Sequence, residues 1–106
     1  MIKSTPPTQP LKTLKRRGTS FEPEAAVAFG EIIRAERIKQ EIAQDQFALR
    51  ANVDRSYYGK LERGERQPSL GLILRIAGGL GVTASDLIGR TELALGTRLK
   101  ISGANN

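Results

Sequence analysis

The sequence predicts an all-α fold: a compact five-helix domain over residues 21–90, with an extended basic arm before it (1–20) and a short tail after it (91–106). Three observations predict this. The stretch Gln44 to Glu62, QDQFALRANVDRSYYGKLE, holds two short helical patterns, with Phe47, Ala48 and Ala51 at i, i+1 and i+4, then Tyr58 and Leu61 at i, i+3. Apolar residues recur at helical spacing on both sides of it, in segments bounded by Pro, Ser, Thr and Gly. Charge is uneven: residues 21–90 balance ten Lys/Arg against ten Asp/Glu, so the formal +6 of the chain lies in its ends.

Residues 1–20 hold three of the five prolines and five cations with no acid, and bury too little apolar surface to fold alone. A first helix is expected from Pro23, suited to the first helical position, to about Lys39, with Glu22 and Glu24 near its positive end. Phe29 and Ile33 mark its buried face. Arg37, four residues after Ile33, falls near that face and needs a carboxylate partner. The second and third helices meet at Asn52-Val53-Asp54. Asn tolerates the left-handed conformation that leaves a helix sharply, Val53 plugs the corner, and Asp54 can cap the next helix. Ala48 is small where the two helices cross.

Gly64 stops the third helix, Glu65 to Pro68 forms a loop, and Ser69 caps a fourth helix. Leu70, Leu72, Ile73, Leu74, Ile76, Ala77 and Leu80 are its expected core residues. Gly78-Gly79 weakens its last turn, and Gly81 ends it. Thr83-Ala84-Ser85-Asp86 resembles a capping box and opens a short fifth helix with Leu87 and Ile88. In the tail, Leu93, Leu95, Thr97, Leu99 and Ile101 alternate with mostly polar or small residues. That period of two suits a strand with one apolar face; the rival is a continued helix using Leu95 and Leu99, which Gly96 disfavours.

Composition narrows the function. The chain has no Cys and no His, so the usual soft metal ligands, disulfides, thiol nucleophiles and the commonest general base are missing. Neither an enzyme active site nor a cofactor is expected. The longest apolar runs are a few residues and no signal-peptide pattern opens the chain, so a membrane association is not expected and a cytoplasmic location is. The pI of about 10.2 points to a polyanionic partner.

The pair of helices in Gln44 to Glu62 resembles the helix-turn-helix of the XRE-type regulators, the group that includes the lambda and 434 phage repressors and Cro proteins. The resemblance extends from about Phe29 to Ile88 through LERGERQPS (Leu61 to Ser69) and LGVTASDLI (Leu80 to Ile88). It implies a lambda-repressor-like domain whose third helix lies in the major groove of double-stranded DNA. It also implies that Arg37 pairs with Glu62 of Glu62-Arg63-Gly64, a pairing that the face of the first helix already suggests. The chain departs from the family with Glu41 and Asn52 where Gly is usual, Ala43 where Ser or Thr caps, and Tyr58 where an aliphatic residue is usual. The run DRSYYGKLERGERQPSL is similar to stand-alone controller proteins of restriction–modification systems.

On this resemblance the chain is expected to be a sequence-specific regulator of transcription that occupies an operator as a homodimer. Arg55 and Lys60 are the expected base readers, with Ser56 and Tyr57 beside them. Gln44, Arg63, Arg66 and Gln67 are candidates for phosphate contact, as are Lys12, Lys15, Arg16 and Arg17 of the arm. The dimer contact is expected from the tail, as an antiparallel strand pair, with the exposed side of the fifth helix around Leu87. An alternative from another class is an antitoxin, whose DNA-binding domain regulates its own promoter while another surface grips a toxin partner.

Overall fold

The computed structural model describes residues 20–104, with side chains described as far as Gly96. Lys12, Lys15, Arg16 and Arg17 lie outside the described residues. Five helices follow in order: α1 Pro23–Lys39, α2 Gln44–Ala51, α3 Arg55–Glu62, α4 Leu70–Leu80 and α5 Ala84–Ala104. No strand occurs among the described residues.

α1 starts with Pro23 in its first turn and Glu24 close behind, as the macrodipole favours. No side chain of Glu22 caps it. Instead Gln67 reaches back from the loop after α3: its Oε1 accepts from the Glu22 N–H at 2.7 Å and its Nε2 donates to the Ser20 carbonyl at 3.0 Å. The expected phosphate residue Gln67 thus clasps the entry to α1 with both ends of its amide.

The core gathers around Ile33, Phe47, Tyr58, Leu61, Ile76 and Leu87, each fully buried. The Phe47 and Tyr58 rings sit 5.2 Å apart at 48°, a tilted packing suited to aromatic quadrupoles. Asn52 takes φ 58°, ψ 52° and ends α2, after which the Val53 N–H returns to the Ala48 carbonyl at 2.8 Å. Val53 is half-buried against the core and Ala48 is buried where α2 meets α3. Glu41 also has φ 58°, at the place where the resemblance implies Gly. The connection holds through Arg37, whose Nη1 donates to the Ile42 carbonyl at 2.7 Å. Ala43 supplies α2 with no side-chain cap.

One contact brings α1 unusually near α3. A Cβ on Gly30 would stand 2.4 Å from the Leu61 carbonyl oxygen and 2.6 Å from that of Glu62, so only hydrogen fits there. Gly64, at φ +75°, likewise lies against the Val27 backbone and turns the chain out of α3. Ser69 Oγ accepts from the Leu72 N–H and opens α4. Only one face of α4 meets the core. Leu72, Ile76, Ala77 and Leu80 are buried, Ile73 is half-buried, and Leu70 and Leu74, expected in the core, are 73% and 56% exposed.

The tail departs most from expectation. α5 runs unbroken from Ala84 to Ala104, so no strand forms over 93–101. Thr83 Oγ1 accepts from the Asp86 N–H at 3.0 Å, but the Asp86 carboxylate turns forward to Arg90 instead of closing a box. The helix continues because Leu87, Thr91 and Leu95 fall at i, i+4 and i+8 on one side; Leu87 and Thr91 are buried and Leu95 half-buried. Gly96 is accommodated, at the modest propensity cost of roughly 1 kcal/mol. Leu87, expected near an exposed dimer contact, is fully buried. Arg90 Nη1 donates to Glu36 Oε1 at 2.9 Å, tying α5 to α1.

Candidate nucleic-acid interface

α3 is eight residues long and its faces divide cleanly. Tyr58, Gly59, Leu61 and Glu62 turn inward, while Arg55 and Ser56 are exposed at its N-terminal end and Tyr57 and Lys60 are half-buried along its side. Asp54 accepts from the Tyr57 N–H at 3.0 Å and caps this end. Arg55 and Ser56 are exposed and make no side-chain hydrogen bond to another described residue, while Lys60 has the Glu65 carboxylate as a charged neighbour. Tyr57 differs: its ring also packs on the core, which holds it in one place.

Beneath α3 lies a buried charge network. Arg37 Nε donates to Glu62 Oε2 at 2.7 Å and Nη2 to Oε1 at 2.9 Å, a two-pronged pairing of the kind only Arg can make. Gln44 Nε2 donates to Glu62 Oε1 at 2.9 Å. A carboxylate can only accept, so this bond fixes which end of the Gln44 amide points inward. Gln44, expected to hold a phosphate through its amide, therefore joins the network that anchors α3. Burial pushes the Glu62 pKa up, but its donors, Arg37 foremost, outweigh burial and hold it below the usual carboxylate range. Burial, then the neighbouring Glu62, pushes the Tyr58 phenol well up. Its hydroxyl is buried beside these charges without meeting hydrogen-bond geometry to a described group.

Around α3 the other candidates take distinct places. Arg63 is exposed and pairs with Glu65, Nε to Oε2 at 2.8 Å and Nη2 to Oε1 at 3.3 Å. Arg66 donates to the Glu65 carbonyl at 3.0 Å and is also exposed. Gln44, Arg55, Ser56, Gly59 and Arg63 together line an open polar cleft of about 210 Å³ between α2 and α3. No group of His, Cys, Asp or Glu able to hold a metal occurs among the described residues.

Four contacts that brace the helices were missed in the sequence. Arg50 Nη1 donates to the Gly79 carbonyl at 3.2 Å and Arg75 Nη1 to the Asn52 carbonyl at 2.6 Å, so α2 and α4 each receive a cation at their negative ends. Glu36 accepts from both Gln40 and Arg90, and these bonds hold its pKa below the usual range. Arg50, in the last turn of α2, was the available signal, whereas Arg75 stands mid-helix in α4; their carbonyl partners lie 29 and 23 residues away.

Comparison with known proteins agrees with this geometry. A helix-turn-helix family matches residues 33–87, half of the chain. The control protein C.MunI of a Mycoplasma species is 34% identical over 67 residues, which span 62% of this chain and 90% of that protein. The immunity repressor protein of Bacillus phage phi105 is 38% identical over 64 residues, covering 60% of this chain but 44% of the phage protein. Among solved structures, the restriction-modification controller protein C.AhdI from Aeromonas hydrophila matches with a TM-score of 0.57 at 37% identity, over 58% of this chain and 94% of that one. The matched stretch contains α2, the left-handed Asn52 and the capped α3, and the chain belongs to the helix-turn-helix family of XRE-type DNA-binding regulators.

Proposed function

We propose that this chain is an operator-binding regulator of the controller or repressor type, acting in the cytoplasm as a dimer with α3 in the major groove. The observation that carries the reading is the division of α3. Its inner side is locked by the core and by the Arg37–Glu62 pair, while Arg55 and Ser56 project from its free end with no internal partner. Arg55 reads a guanine through O6 and N7, Lys60 reads or neutralises one turn on, and Ser56 and Tyr57 make the smaller adjustable contacts. Arg63 and Arg66 serve the backbone, as would Lys12, Lys15, Arg16 and Arg17 of the arm. The relatives described as control proteins and as an immunity repressor favour this reading over an antitoxin with a toxin partner.

The test is selection of bound duplexes from random DNA, followed by Arg55→Ala. Loss of preference at one base position per half-site, at about 1–3 kcal/mol, is expected, with non-specific binding kept. Equal losses on selected and random duplexes would make Arg55 a phosphate contact.

One α3 spans too few base pairs to specify a site, which is the reason for a second copy. With the tail helical and Leu87 buried, we place the contact with that copy on α4 and α5, where Leu70, Leu74 and Ile88 are exposed. A shallow apolar hollow lined by Phe29, Pro68, Ile73 and Ile88 adjoins it. Leu74→Glu is expected to sediment as a folded monomer; a dimer of unchanged strength would put the contact elsewhere.

A further inference from the structure

Two features of the DNA-facing side run against its purpose when taken alone. Glu65 is an exposed acid set among Lys60, Arg63 and Arg66, and a carboxylate there repels a polyanion. Gly59 occupies the middle of the eight-residue α3, where glycine is the poorest helix former short of proline.

The geometry connects them. Glu65 takes Nε and Nη2 of Arg63, which leaves Nη1 directed elsewhere. That nitrogen would stand 3.2 Å from a Cβ on Gly59, and Gln44 Oε1 would stand 3.5 Å from it. Gln44 is itself held by Glu62. Gly59 is buried beneath Arg63 Nη1 and the Gln44 amide, so its missing Cβ makes room at the floor of the polar cleft for the guanidinium edge that Glu65 leaves free. Arg55 and Ser56 complete the lining.

Resting on the DNA-binding reading above, we propose that Glu65 is a positioning residue that aims Arg63 across the bare backbone of Gly59 at a single phosphate of the DNA backbone. A guanidinium free on all sides loses rotamer freedom on meeting a phosphate; one already forked on Glu65 loses less and arrives in the right orientation. Gly59, with no Cβ, lets that guanidinium lie closer to α3 than any other residue would allow. The acid's repulsion is smaller than the gain because its charge is largely spent on Arg63.

The experiment uses the full chain with two probes: a duplex selected by the unmodified protein and a random-sequence duplex of equal length. Simple repulsion makes Glu65→Ala bind both duplexes more tightly. Positioning makes it bind the selected duplex more weakly, by roughly tenfold, the size of one charge-assisted hydrogen bond, while binding to random DNA holds or tightens. In an Arg63→Ala background, which itself lowers the log–log salt slope by about 0.9, Glu65→Ala is expected to reverse sign and tighten binding. Gly59→Ala is expected to raise Tm through helix propensity and yet weaken the selected complex. Tighter binding of Glu65→Ala to the selected duplex, or unchanged affinity for Gly59→Ala, overturns the positioning role and leaves the DNA-binding reading intact. Failure of the unmodified protein to select any sequence overturns both.

Discussion

Two Arg–Glu forks stand side by side at the end of α3, and they have the same chemistry with opposite worth. Arg37–Glu62 closes at 2.7 and 2.9 Å with side chains 10% and 1% exposed; Arg63–Glu65 closes at 2.8 and 3.3 Å with side chains 56% and 50% exposed. Glu62 and Arg63 are neighbours in sequence, but helical geometry turns one toward the core and the other toward water. The inner fork joins helices 25 residues apart, whereas the outer one joins residues two apart. Burial, not distance, decides what each does: the inner pair holds the recognition helix in place, and the outer pair orients one side chain on its surface.

The largest break in the comparison should come from Glu62→Ala. It strands the Arg37 guanidinium and the Gln44 amide, and broken buried pairs cost about 3–5 kcal/mol. Denaturant unfolding is expected to register that loss, and Arg37→Met with Glu62→Leu to recover much of it. A loss no larger than that of a surface carboxylate would mean the pair is solvated in solution.

Acid should weaken the buried carboxylate pairs next. Glu62 and Glu36 hold their protons less tightly in the folded chain than in the unfolded one. Their contribution is therefore present above the unfolded carboxylate value of about 4.3 and is lost as pH falls through the lower folded values. Tyr58 acts with the opposite limb, since its raised pKa withdraws stability once pH passes about 10, where the unfolded phenol ionises. Tm measured against pH is expected to fall at both ends, and the Arg37→Met, Glu62→Leu chain to show a shallower acid limb.

The smallest effect belongs to the outer fork. Glu65→Ala is expected to change unfolding stability no more than an ordinary surface substitution does, as exposed pairs do. A loss of several times that size would give Glu65 a structural role and remove the contrast.

What could be read in advance follows from how local each cause is. Pro23, Asn52, Asp54, Ser69 and Gly64 act within a turn of themselves, so their caps and stops were legible. Arg37 was legible because its place on the Ile33 face demanded an acid, and the resemblance supplied Glu62. The tail was not. Leu93, Leu95 and Leu99 fit a strand by alternation, while Leu87, Thr91 and Leu95 fit a helix, and only packing of α5 on α1 separates the two. The exposure of Leu70 and Leu74 was hidden for the same reason, since a helix that is apolar at most positions does not declare which side meets the core. Gln44 and Gln67 looked like surface amides until the fold brought Glu62, Ser20 and Glu22 to them. Which of the outward residues read bases is a matter for DNA, and neither pattern nor packing contains it.

Gly30 has a consequence for motion. With α1 lying so close that a methyl group cannot enter between it and the carbonyls of Leu61 and Glu62, the last turn of α3 has no slack. Arg37, about two turns further along α1, grips Glu62 of the same turn. Any tilt or slide of the recognition helix therefore displaces α1 as well, so the close approach couples the two helices. Accommodation between this protein and a sequence that fits imperfectly must then come from surface side chains, from the hinge between two copies, or from bending the DNA itself. A stiff reader shifts the work of discrimination toward the deformability of what it reads.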